Sequence, residues 1–494
     1  MRFIKPLAAA ILAVIHCGVA ADSNVSDVSQ QGILNMATIN QSDPTVTDNQ
    51  IVVIQDGTGN VSDAEQVNNT TDSLISHIQI GDDNDAMSIQ DTNVNLATTA
   101  ITQQGDMNDA ETIQENVIDS SSISATQIGT DNEFESRQDT QVTFSTIFSS
   151  QVGDSNRVNL DQEDATDSSA INATQSGDMN DVDAEQSTSV FSSIMSFSQV
   201  GDQNVLDANQ FETSSVSANI LQIGTSNDAD IDQFINVSSS TSSITQSGTS
   251  NEASTDQSNV VSGSGINTSQ DGTDNELFVE QTDQVSQSFV TVSQTGDMNE
   301  VEVVQEEEIS FSTATVVQSG SSNSTEITQN ILVDSSTASV FQAGDGNSAQ
   351  LMQIDGPISL SVIMADQDGS TNMVNAEQDG LISSSTIDIF QSGTSNDADV
   401  AQDTLVDLSS VTTSQIGTQN SLTVLQMDVV SSDITITQDG DMNTIDVSQM
   451  GTLGSVSTIS QNGSLNTHTT TQLNDFQTAS ATQLGTSNTG IIMQ

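Results

Sequence analysis

Residues 174–186 read "TQSGDMNDVDAEQ", and residues 198–210 read "SQVGDQNVLDANQ". Gln175, Gly177, Asn180 and Gln186 of the first stretch return as Gln199, Gly201, Asn204 and Gln210 in the second. Almost everything between them changes. A chain that holds four polar or small residues in place while its apolar residues drift is obeying a spacing rule, and that rule decides the fold.

Working outward, Gln-x-Gly-x-x-Asn-x5-Gln begins at Gln30 and recurs to Gln483, giving twenty units with a step of 22 to 25 residues. Gln151, Gly153, Asn156 and Gln162 form the unit before the quoted pair, and Gln483, Gly485, Asn488 and Gln494 form the last. Ser stands six residues before the first Gln in fifteen of the twenty. The array stops on the final Gln of a complete unit, and Pro357 falls between units, where a missing N–H does least harm to strand pairing. Strict periodicity is the feature that separates a repeat architecture from disorder. It is needed here, because 33% hydrophobic residues, 3% aromatics and a net charge of -64 in 494 residues would otherwise read as an unfolded chain.

Between the fixed points the pattern has period two. After Asn227 the chain reads Asp-Ala-Asp-Ile-Asp-Gln233, and after Asn275 it reads Glu-Leu-Phe-Val-Glu-Gln281. Small or apolar residues dominate the second and fourth places and carboxylates are frequent at the odd ones, which predicts β-strands with one buried face and one wet face. Each unit is therefore strand, turn, strand, arc. Gly is expected to supply a positive φ to the turn, and Asn to tolerate unusual backbone angles there. Stacked units place each residue about 4.8 Å above its equivalent, so buried Gln and Asn amides can form ladders. An odd residue in such a row would strand buried amides at about 1–3 kcal/mol each. The predicted fold is an all-β solenoid of about twenty strand-turn-strand repeats in two parallel, cross-β-like sheets, on the order of 95 Å long. The outward places mix Asp, Glu, Ser, Thr and Asn with no fixed rank, and like-charge neighbours are expected to raise carboxylate pKa values in the stack.

Residues 1–21 read as a secretory signal peptide: Arg2 and Lys5, an apolar run from Leu7 to Ile15, then small residues with cleavage expected after Ala20 or Ala21. Residues 22–494 are the repeat array. The apolar run is too short to span a membrane, and no second one exists. Cys17 lies in the leader, so disulfides are not expected to hold the fold.

The five-position pattern Ser-x5-Gln-x-Gly-x-x-Asn-x5-Gln resembles the repeat of the curlins, the subunits of curli fibres, over Asn24 to Gln494. The resemblance implies a left-handed β-solenoid that self-assembles into an extracellular functional amyloid fibre of a Gram-negative bacterium, serving adhesion and the biofilm matrix. It implies a curlin nucleator and an outer-membrane secretion pore as partners, besides copies of the chain itself. This chain has more repeats than the familiar major subunit, a slightly longer step, and only a short lead from Asp22 to Ser29 before the first Gln. The sixteen ladder residues named above are the expected self-assembly positions.

Other chemistries find little footing. Asp228, Asp230 and Asp232 mimic a calcium loop, but the sixth and twelfth places hold Gln233 and Ser239 instead of Gly and Glu. No cofactor or specific metal is expected; loose association of divalent cations with acidic rows is. An enzyme is disfavoured, since residues 22–494 offer two Arg (Arg137, Arg157), two His (His77, His468) and neither Trp nor Tyr. Nucleic acid is disfavoured by the sign of the charge. A second reading stays open: a soluble, secreted, acidic β-solenoid acting as an ice-binding protein or an adhesin stalk.

Overall fold

The computed structural model describes residues 12–16, 23–41 and 44–494. The chain forms two compact units, Met1–Ser238 and Ser239–Gln494, and the same coil recurs in both. Among the described residues there is no helix, and so none long and apolar enough to cross a membrane. The protein is a β-solenoid built from two parallel sheets.

One coil illustrates the rest. The strand Ala170–Ser176 runs to the turn, and Asp181–Ser187 returns on the other side. Each pairs in parallel with its equivalent in the next coil: Gln175 stands beside Gln199, Asp181 beside Val205 and Gln186 beside Gln210. Burial alternates as the period-two pattern requires. Ile171, Ala173, Val182 and Ala184 face inward and are buried, and so are Met195, Phe197, Leu206 and Ala208 of the next coil. The core is thus a thin strip of four small-to-medium side chains per coil. Volumes are traded inside a coil: the buried ring of Phe134 shares its layer with Ala125 and Ser136.

The arc is more than a connection. It carries a buried row of its own, Val94, Ile118 and Val142, closed by Ala97. Short strands Val94–Asn95, Ile118–Asp119 and Val142–Thr143 pair there in parallel, and Val333–Asp334 pairs likewise with Ile358–Ser359 in the second unit. The signal was a β-branched residue four places after the second Gln, which burial against the neighbouring arcs favours. The register slips between Phe211 and Thr213 and between Asp403 and Val406, where arcs differ in length, and recovers at once.

Of the predicted leader only Leu12–His16 is described; it lies parallel to Met36–Asn40. The expected cleavage position lies outside the described residues.

Candidate self-assembly ladders and outer faces

Four inward rows bind coil to coil. In the first Gln row, Nε2 of each Gln donates to Oε1 of the Gln in the next coil: Gln151 to Gln175 at 3.2 Å and Gln175 to Gln199 at 2.9 Å. The same amide also donates across the core to a second-strand carbonyl of the preceding coil, as Gln175 does to Arg157 O at 2.9 Å. The second Gln row behaves alike, with Gln162 to Gln186 and Gln186 to Gln210 both at 2.8 Å. These side chains are at most 2% exposed, so the amides have no water to fall back on. In the Ser row each backbone N–H donates to the Ser Oγ of the preceding coil, as Ser193 does to Ser169 at 3.1 Å.

The Asn row runs with the opposite polarity. Asn180 Nδ2 donates back to Asn156 Oδ1 at 3.0 Å, and Asn204 Nδ2 to Asn180 Oδ1 at 2.9 Å. Asn Nδ2 also caps the turn of the following coil: Asn156 reaches Gly177 O, and Asn180 reaches Gly201 O, both at 2.7 Å. Asn132, Asn156, Asn180 and Asn204 all have ordinary negative φ. The reading that Asn serves odd backbone angles is therefore corrected: its side chain is what the position needs. The positive-φ turn residue is instead the one before it, such as Met179 or Gln203.

Gly supplies the expected positive φ and a second service besides. Its φ is positive, 131° at Gly153 and 125° at Gly177. The stronger reason is contact, because a Cβ built on Gly153 would overlap the carbonyl oxygen of Gly177 in the next coil. Only Gly lets neighbouring turns approach this closely.

The last unit departs from its expected burial. Gln483, Asn488 and Gln494 are only part-buried and Gly485 is exposed. They still accept the ladder: Gln461 donates to Gln483 at 2.8 Å, Gln472 to Gln494 at 3.2 Å, and Asn488 donates to Asn466 at 2.8 Å.

The outward residues are sorted by face, which corrects the reading that they have no rank. Each first strand has outward places one, three and five before the first Gln and one after it, and each second strand has them one, three, five and seven after the Asn. In the first unit the first-strand face carries two carboxylates, Asp27 and Asp56, and the second-strand face carries nineteen. In the second unit the numbers are six and fourteen. The acidic face also holds Arg137 and Arg157, the two arginines among the described residues. Arg137 pairs with Glu115, Asp139 and Glu163, and Arg157 with Glu133 and Asp181.

Asp109 and Asp161 on the acidic face are shifted upward, chiefly by burial and secondarily by like-charge neighbours. Asp109 is raised by burial first and by Glu135 second. Asp161 is pushed up to about 7 by burial and then by Glu163, against a hydrogen bond from the Arg137 amide. Asp228, Asp230 and Asp232 point outward along one strand rather than around a loop. No group of metal-ligating side chains occurs among the described residues.

Two interior polar features escaped sequence reasoning. His77 is fully buried between Ser62 Oγ at 2.8 Å and Ser88 Oγ at 2.7 Å, in a row whose neighbours are Val53 and Ile101. Burial lowers its pKa to about 3. Ser149 is buried between Ala125 and Ala173, and its hydroxyl has no partner.

The chain matches no known protein-family description and no curated protein.

Proposed function

We propose that this chain is a structural subunit of an extracellular curli-like amyloid fibre, adding copies end to end for adhesion and biofilm matrix. The observation that carries this reading is the identity of the bonds between coils. Each coil offers its neighbour the same Gln, Asn, Gly and Ser groups, so a coil of a second chain presents what the next coil of the same chain presents. Repeating backbone and side-chain ladders of this kind are what a cross-β fibre extends. The resemblance of the repeat to curlins points the same way and brings a nucleator, a secretion pore and a Gram-negative surface into the proposal. The test is a dye-binding time course on residues 22–494 with and without preformed seeds. Seeded growth with a shortened lag supports the reading; a chain that stays soluble for weeks at high concentration and 0.15 M salt opposes it. With a net charge of -64, growth should quicken with added NaCl, and at lower concentration with Mg²⁺ or Ca²⁺.

The first-strand face, with fewer carboxylates than the second-strand face in both units, favours a second reading, an ice-binding solenoid. Thr241, Ser243 and Thr245, or Thr478, Ser480 and Thr482, present short hydroxyl rows there. Inhibition of ice recrystallisation by the soluble chain would support that reading.

A further inference from the structure

The division between faces has a consequence for how chains meet sideways. We infer that the first-strand face docks against the same face of a second copy of this chain, so that fibres consist of laterally paired filaments. Pairing within fibres rests on the fibre reading; pairing of soluble chains does not.

Charge opposes pairing through the second-strand faces. Bringing two second-strand faces together would oppose nineteen carboxylates with nineteen in the first unit alone, relieved only by Arg137 and Arg157. First-strand faces oppose two with two there. Acidic faces turned outward and neutral faces turned inward keep like charges farthest apart, and salt screens what remains beyond about 8 Å. A self-complementary patch of this kind closes around a two-fold axis.

The face has anchors as well as neutrality. Phe148, 40% exposed, rises from a row whose nearest members are Ser124 and Asn172. Phe289, 50% exposed, leans over Gly265, whose missing side chain leaves room for the ring, and Phe341 is similarly exposed. Aromatic rings standing out from a face of Ser, Thr and aliphatic side chains are typical anchors of an interface. The area suffices: a seven-residue strand is about 23 Å long and nine coils rise about 40 Å, so the first unit alone offers roughly 900 Å², against about 800 Å² per partner for a standard interface.

The experiment uses residues 22–494 in three forms: the natural chain, a first-face triple (Ser124→Glu, Phe148→Glu, Asn172→Glu) and an acidic-face triple of equal charge (Met87→Glu, Asn159→Glu, Val205→Glu). Mass per length of fibres is read by dark-field electron microscopy, and the soluble chain by sedimentation velocity at 0.15 M NaCl. Natural fibres should have twice the mass per length of one solenoid. The first-face triple should halve it while fibres still bind dye, and the acidic-face triple should leave it unchanged. Phe148→Ser, which matches Ser124 in its row, keeps the fold and should weaken the soluble dimer at least ten-fold. Natural fibres at the single-solenoid value, or a first-face triple that stays paired, would overturn the inference and leave the fibre reading intact. If no fibres form, the fibre reading fails and sedimentation decides: a dimer lost in the first-face triple supports the pairing, and a monomeric natural chain refutes it. Ice-recrystallisation inhibition by a monomer, lost in the same triple, would assign the face to ice instead.

Discussion

Asn156 Nδ2 donates to the carbonyl oxygen of Gly177, one coil further on, at 2.7 Å. The bond ties two rows together. Gly153 has no Cβ, so its turn and that of Gly177 stack closely enough for the Asn amide to reach the next carbonyl. Asn156→Asp keeps the shape but removes both donated bonds, to Gly177 O and Asn132 Oδ1, and sets oxygen against oxygen. A loss of about 2–4 kcal/mol is expected in urea unfolding, since each orphaned buried group costs about 1–3 kcal/mol. Gly177→Ala should cost at least as much, through overlap with Gly201 O. A fall below 0.5 kcal/mol for either, within the scatter of ordinary surface changes, would refute the coupling.

Gln175→Leu should be far more damaging than Asp183→Asn. The first leaves the Gln151 amide and the Gln199 carbonyl short of partners inside the coil, at about 1–3 kcal/mol each. The second removes one outward carboxylate among many. Thermal unfolding of the two variants, compared at one pH, measures the difference, and equal midpoints would contradict the inward Gln row.

Ser149→Ala should stabilise the chain. Its hydroxyl is buried without a partner, between Ala125 below and Ala173 above, so alanine completes the row. A gain of about 1 kcal/mol is expected from removing an uncompensated buried polar group. A destabilised variant would mean that the hydroxyl is bonded in solution.

Asp161 and His77 pull stability in opposite directions with pH. Asp161 has a folded pKa of about 7 against an ordinary 3.8. Its contribution is fully present below about 3.8 and is lost as pH rises through about 7. Asp161→Asn should therefore be more stable than the natural chain at pH 8, and the gap should close toward pH 4. Equal unfolding midpoints at both pH values would show that Asp161 is ionised in the fold at an ordinary pKa.

His77 has a folded pKa of about 3 against 6.5, so the unfolded chain takes its proton first and stability falls as pH drops from about 6.5 toward about 3. His77→Ile, matching Ile101, should lose a little at pH 7, where Ser62 loses its partner. At pH 5 it should regain about 2 kcal/mol, which is about 1.5 units at 1.36 kcal/mol each. Chemical denaturation at pH 7 and 5 reads the crossover; a constant offset between the two chains would place His77 in contact with solvent.

Much of this protein was legible in one dimension. Alternation around Ala229 and Ile231 told which side chains face inward, because a strand has period two and a carboxylate avoids a dry core. The fixed spacing from Gln175 to Gln186 told that amides stack, because a ladder works only when side-chain length repeats from coil to coil. These are properties of residues within one unit, and any unit carries them. What tertiary structure decided concerns neighbours about 4.8 Å away along the stack. The close approach of Gly153 to Gly177 O, the reach of Asn156 to that same oxygen and the polarity of the Asn row exist only between coils. So do the buried Val94, Ile118 and Val142 of the arcs, and the two serines that flank His77. The division of charge needed the fold most of all. Asp183 and Asn172 both stand at outward places of one repeat, and in sequence they look alike. Once the turn sends the second strand back along the other side, every first strand of a unit shares one sheet and every second strand the other, and the carboxylates gather on a single face.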